Sequence, residues 1–210
     1  MPYKVLLLNG SPHINGCTAR ALEELVKTLE EEGIETELIQ IGKDAVRGCI
    51  SCGYCRTHDG CVFGTDKVNE VAAKFEAADG LVIGSPVYYA SPNGTALSFM
   101  DRLFYSTGFS KHMKVGASVV SCRRGGNTAT FDVLNKYFTI SGMPVVSSTY
   151  WNQVHGFSAA DVEKDPEGLQ TMRNLGRNMA FLIRAIAAEK EKSGLPPVER
   201  TSFTSFPDGK

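Results

Sequence analysis

Twice in this chain a short, unbroken apolar run stops abruptly at Gly-Ser-Pro: YKVLLLNGSP over residues 3–12 and GLVIGSP over 80–86. An apolar run without polar alternation reads as a strand covered on both faces, the kind found in parallel sheets coated by crossover helices. The intervening sequence agrees. TARALEELVKTLEEEG (18–33) sets Ala21, Leu22, Leu25, Val26 and Leu29 at helical spacing and is stopped by Gly33. IETELIQI (34–41) is rich in β-formers, and TDKVNEVAAKFEAAD (65–79) reads as a helix with Thr65 or Asp66 as N-cap. Beyond the second apolar run come a helix over 93–106, a strand over 114–122, a helix over 128–142 and a fifth strand over MPVVSSTYW (143–151). A long closing helix follows Asp165-Pro166.

Strand and helix thus alternate five times, with no repeat and no linker. This predicts one doubly wound α/β domain over residues 1–194: a five-stranded parallel sheet, order 2-1-3-4-5, with helices on both faces. The polar, Pro-rich residues 195–210 read as an extended C-terminal tail. In such a sheet ligands bind beyond the carboxyl ends of the strands, near the switch point between strands 1 and 3. That selects loops 9–18, 84–94 and 121–128, with 42–65 beside them on the binding side.

Composition narrows the partners. A formal charge of −1 leaves no basic surplus for a phosphate backbone, so no nucleic-acid partner is expected. No basic-plus-apolar leader opens the chain and no apolar run approaches a membrane-spanning length, so a cytoplasmic protein without a membrane partner is expected. In that compartment thiols stay reduced, and clustered cysteines point to metal or redox chemistry rather than structural bridges.

In loop NGSPHINGCT, Ser11, His13, Asn15, Gly16, Cys17 and Thr18 sit between a buried strand and a helix N-terminus. Backbone N–H groups and the positive end of a helix suit a phosphate there. The plainer reading is a β-turn at Asn15-Gly16 with Thr18 as N-cap. In GSPVYYASPNG, Pro86, Val87, Tyr88, Tyr89 and Ser91 offer flat side chains and free backbone groups at the end of strand 3. SCRRGGNT ends strand 4, where Arg124, Gly125 and Gly126 could bring backbone close to a ligand and Arg123 or Arg124 could meet negative charge. Cys122 reads as a small buried residue, Trp151 as a pocket wall or a core side chain, and His155 as a satisfied loop histidine or a substrate contact.

NGSPHINGCT followed by GSPVYYASPNGTALSFMDRLF resembles the NADPH-dependent FMN reductases of the flavodoxin-like superfamily. The resemblance implies FMN, its phosphate on the first loop and its ring beside the second and third, with NAD(P)H as electron donor. It also implies dimer contacts through the helix carrying Phe99, Met100, Leu103 and Phe104, in a homodimer or homotetramer.

The remaining signal is GCISCGYCRTHDGC (48–61), where Cys49, Cys52, Cys55 and Cys61 follow C-x2-C-x2-C-x5-C spacing. Gly48, Gly53 and Gly60 would let backbone wrap around a compact centre. This spacing resembles that of the iron–sulfur flavoproteins, which implies one [4Fe–4S] cluster on the four cysteines. It departs from the ferredoxin run C-x2-C-x2-C-x3-C-P. From the residues alone a tetrahedral zinc site, a redox disulfide with a thiolate activated by His58 or Arg56, and free thiols stay open.

The function expected is an FMN-dependent NAD(P)H oxidoreductase handing electrons to a quinone, another small molecule or a redox protein. Its flavin chemistry requires no acid–base dyad, and no catalytic side chain is assigned. A flavodoxin- or ferredoxin-type electron carrier and a redox-sensing module are the alternatives.

Overall fold

The run after Tyr3 forms a strand whose Val5, Leu6, Leu7 and Leu8 are all withdrawn from solvent. The structure, a computed structural model, describes residues 2–204. In chain order the elements are β1 (Lys4–Asn9), α1 (Cys17–Glu31), β2 (Glu35–Gln40), α2 (Val68–Ala77), β3 (Gly80–Tyr88), β4 (Ser91–Pro92) and α3 (Gly94–Ser106). They continue with β5 (Val115–Cys122), α4 (Asn127–Ile140), β6 (Gln153–His155), α5 (Ala159–Val162) and α6 (Pro166–Ser193). A single 3-10 turn, Tyr54–Arg56, lies in the cysteine loop.

β1 explains why its sequence does not alternate. Val5 and Leu7 pack with α1 and α6 on one face, Leu6 and Leu8 with α2, α3 and α4 on the other. Burying each such side chain contributes about 1.5–3 kcal/mol. The parallel ladder runs β2-β1-β3-β5-β6, while β4 is a short antiparallel return of β3. Counting only the parallel strands, this is the expected order 2-1-3-4-5.

Two expectations are corrected. The fifth parallel strand is not 143–151 but Gln153–His155. Within the earlier stretch Val145 makes a single bridge to Gly116. Pro144 has no N–H to give a ladder, and Ser147 and Ser148 turn to α6: Ser147 O accepts from Asn178 Nδ2 at 2.8 Å and Ser148 Oγ donates to Thr171 O at 2.7 Å. Second, α5 was not anticipated, although Ser158 and Asp161 form the capping box that SAAD spells. Phe99, Met100 and Leu103 are fully buried within the domain. These three side chains of α3 are core, with Phe104 partly buried beside them.

Other caps follow the sequence. Asp165 Oδ1 accepts from Gly168 N at 2.9 Å ahead of Pro166 at the start of α6. Asp66 Oδ1 accepts from Val68 N at 3.1 Å, although the N-cap position itself is Lys67. Residues 195–204 are exposed and carry no helix or strand; the rest of the expected tail, 205–210, lies outside the described residues. No described helix is long and apolar enough to cross a membrane.

Candidate functional site

The ends of β1, β2 and β3 are stitched together by loop backbone. Gly10 N donates to Gly84 O at 2.8 Å, Ile41 N and Gly42 N to Asn9 O at 2.9 and 3.0 Å, and Asn93 Nδ2 to Gly10 O at 2.7 Å. Asn9 Oδ1 turns the chain by accepting from Ser11 N at 3.0 Å, and Ser11 Oγ accepts from His13 N at 3.1 Å. Loop 10–16 is therefore held at its base, while His13 and Asn15 face solvent.

It delivers the chain to an uncapped helix. Gly16, not Thr18, is the N-cap of α1; it brings no side-chain acceptor, and the first turn holds no acidic residue. The N–H groups of Cys17, Thr18 and Ala19 then have no intrahelical acceptor and meet the positive end of the helix. This donor set fits a phosphate. Thr18 contributes backbone only: its buried hydroxyl is engaged with Ser121 Oγ at 2.8 Å, pinning α1 to the end of β5. Burial pushes the thiols of Cys17 and Cys122 above the ordinary cysteine value, which leaves them protonated and poor nucleophiles.

The second and third loops meet. β3 folds back at Tyr89-Ala90, both with positive φ (51° and 58°), so that Val87 pairs with Pro92 and Tyr88 with Ser91. Gly126, the N-cap of α4, approaches this turn with φ 84°; a Cβ there would stand 2.8 Å from Ala90 Cα and 2.9 Å from Val87 Cγ1. Only glycine satisfies both the dihedral and the clearance. Pro86 and Ser91 are partly covered, whereas Tyr88, Tyr89, Arg123, Arg124 and Gly125 are exposed on the same edge. A two-residue hairpin with both central residues left-handed favours Asn-Gly. Replacing Tyr89-Ala90 by Asn-Gly is expected to raise unfolding stability by about 1–2 kcal/mol, read from the urea midpoint of the ligand-free protein.

Trp151 is half exposed and packs edge-on to Tyr150 at 4.8 Å, so it is not a core side chain. His155 lies beside Asp165: its backbone N–H donates to Asp165 Oδ2 at 2.7 Å, and its ring Nδ1 lies 3.4 Å from the same oxygen.

The four cysteines line one cavity with Ile50, Val62, Phe63, Arg102, Tyr105 and Ser106. Gly53 and Gly60 (φ 75° and 84°) turn the loop around it, as does Ser51 at φ 53°. Cys49 and Cys52 are exposed; Cys55 and Cys61 are partly buried. Among the described residues no three Cys, His, Asp or Glu side chains converge as ligands of a single ion. Four thiols around one small cavity are the donor set that an iron–sulfur cluster or a thiolate-bound metal ion takes.

The cavity lies along α3, facing Arg102 and Tyr105, about 14–18 Å along the helix from Asn93 at 1.5 Å per residue. The cations expected to act on a thiol are occupied elsewhere: Arg56 Nη2 donates to Tyr105 Oη at 3.2 Å and His58 stacks on Tyr54 at 4.1 Å. The one that reaches sulfur is Arg102, whose Nε donates to Cys61 Sγ at 3.2 Å. Sequence reading missed it, yet a signal existed. Phe99, Arg102, Leu103 and Ser106 share one helical face, so a charge fell on the buried stripe.

This architecture and the two loops define a flavoprotein of the flavodoxin-like class. The profile of the NADPH-dependent FMN reductase family matches residues 3–157, and the chain belongs to that family. An iron-sulfur flavoprotein of Methanocaldococcus jannaschii is 34% identical over 191 residues, covering 87% of this chain and 98% of the relative. Among solved structures, a WrbA-like flavodoxin of Agrobacterium tumefaciens superposes with TM-score 0.60 at 20% identity, covering 88% and 99% of the two chains. The NAD(P)H:quinone oxidoreductase of Methanothermobacter marburgensis superposes with TM-score 0.64 at 17% identity, covering 85% and 98%.

Proposed function

We propose that this chain is an FMN-dependent NAD(P)H oxidoreductase that also carries a [4Fe–4S] cluster on Cys49, Cys52, Cys55 and Cys61. Its electrons go to a quinone, another small molecule or a redox protein. The observation that carries the reading is that α3 joins two sites. At its start Asn93 is bonded to Gly10 of the phosphate loop, and its last turns, through Arg102 and Tyr105, wall the cysteine cavity.

When bound, FMN supplies hydride acceptance from the nicotinamide, and the cluster supplies single-electron transfer. The chain's part is placement. The first-turn N–H groups of α1 and the Ser11 loop hold the phosphate. The Val87–Ser91 hairpin, propped by Gly126, lays side chains and backbone beside the ring, and Arg124 and Gly125 close the edge. Tyr89, Trp151 and Phe157 are exposed; a homodimer or homotetramer that covers them is part of the proposal. A cytoplasmic setting, in which clustered thiols stay reduced, is part of the proposal.

The test is the absorption spectrum of anaerobically purified protein, with iron and sulfide assayed on the same sample and NADH and NADPH oxidation followed with a quinone acceptor. Flavin bands over a broad brown absorbance, with iron, sulfide and turnover, are expected. A protein that takes up FMN but oxidises neither nicotinamide is a carrier, and the enzyme reading falls. One that takes up no FMN removes the whole proposal.

A further inference from the structure

The four thiols are not equivalent, because Cys61 alone is reached by a buried cation. The Arg102 side chain is fully enclosed. Its Nη1 and Nη2 hold the Asp66 carboxylate, Nη2 also donates to Phe63 O at 3.0 Å, and Nη1 lies 3.4 Å from Arg47 O. The guanidinium carbon sits 5.2 Å from the centre of the Phe63 ring. These contacts fix the fork without help from Cys61, and they leave Nε–H aimed at Sγ. The Cys61 backbone is fixed from the other side: Cys61 N donates to Asn69 Oδ1 at 2.8 Å and Cys61 O accepts from Asn69 Nδ2 at 2.9 Å. Donor and acceptor are thus anchored separately and meet at the cavity wall.

A buried arginine is costly unless every N–H is used. Here Asp66 neutralises the charge and, with the two carbonyls, accepts four of the five N–H groups; the fifth, Nε–H, has Cys61 Sγ as its acceptor. A hydrogen bond to a ligating sulfur favours the form with more negative charge on it, the reduced cluster, and tunes potential as outer-shell partners do. We propose that Arg102 is a positioning residue for the cluster ligand Cys61, holding its sulfur toward the cavity and raising the reduction potential of the cluster through the Nε–H···Sγ bond. The inference rests on the cluster reading above and assigns one residue's work within it.

The test compares three full-length proteins after anaerobic reconstitution with iron and sulfide: the parent, Asp66→Asn, and the paired Arg102→Met/Asp66→Asn, which leaves no unmatched buried charge. Cluster midpoint potential is read by dye-mediated titration, and cluster loss by its rate with an iron chelator. The paired variant is expected to bind FMN as the parent does, with a lower potential and at least tenfold faster iron loss. Asp66→Asn, which keeps the bond to Cys61, is expected to shift the potential the other way. Should the paired variant fail to bind FMN, Arg102→Lys is read in its place; it keeps a charge for Asp66 but loses the fixed Nε donor, and the same downward shift is expected. A folded variant with the parent's potential overturns the proposal even if less cluster is loaded, since reduced loading alone marks a purely structural role. A parent that takes up no iron overturns the cluster reading and the proposal with it.

Discussion

Gly16→Asp is expected to yield a protein that is more stable without flavin and at least a hundredfold weaker at binding FMN. Gly16 caps α1 at φ −94° and ψ −171°, extended backbone that aspartate adopts freely, and it offers no acceptor of its own. An Asp carboxylate there accepts from first-turn N–H groups and meets the positive helix end, a gain of about 0.5–1 kcal/mol. Its Cβ comes to 3.0 Å from His13 Cβ, which can yield because His13 is exposed. The same carboxylate occupies the donors a phosphate needs and repels the phosphate's charge. A hundredfold loss corresponds to about 2.7 kcal/mol. Urea unfolding of the ligand-free protein reads the first effect; calorimetric titration with FMN and with riboflavin reads the second. Riboflavin, which has no phosphate, is expected to bind both proteins about equally. Unchanged FMN affinity places the phosphate away from α1.

Cys52→Ser is expected to remove essentially all iron and the brown absorbance while leaving FMN bound. Cys52 is exposed, so stability is expected to move by no more than about 0.5 kcal/mol. An all-or-none change in metal content from a surface substitution separates a ligand from a structural residue. Metal analysis of parent and variant decides the outcome. Iron retained by the variant removes Cys52 from the ligand set, and zinc in the parent replaces the cluster with a mononuclear site.

Much of this was legible in the chain because the relevant physics is local. The uninterrupted run Val5–Leu8 is what a strand packed on both faces requires, and the loops after β1 and β3 follow from where such strands end. The Gly126 turn could be suspected from Gly-Gly ahead of a helix, but its clearance against Ala90 depends on a hairpin nearly forty residues away in the chain. The misplaced fifth strand came from reading Val145 and Val146 as ladder residues. Their neighbours Ser147 and Ser148 instead bond to α6, a tertiary preference that periodicity does not carry. Cysteine spacing grouped the four thiols that line one cavity, but not where that cavity stands in the fold. That place is set by α3, whose Arg102 reads as an ordinary surface charge until its helical face is counted.

The cysteine loop also bears on how the protein is made. A zinc finger waits for its metal before it folds. Here the loop is gripped by Asn69 and Arg102 through bonds that involve no metal. On the proposed cluster reading, folding and cofactor insertion would be separable events in the protein's maturation, with Cys49 and Cys52, the most exposed of the four thiols, met first by incoming iron.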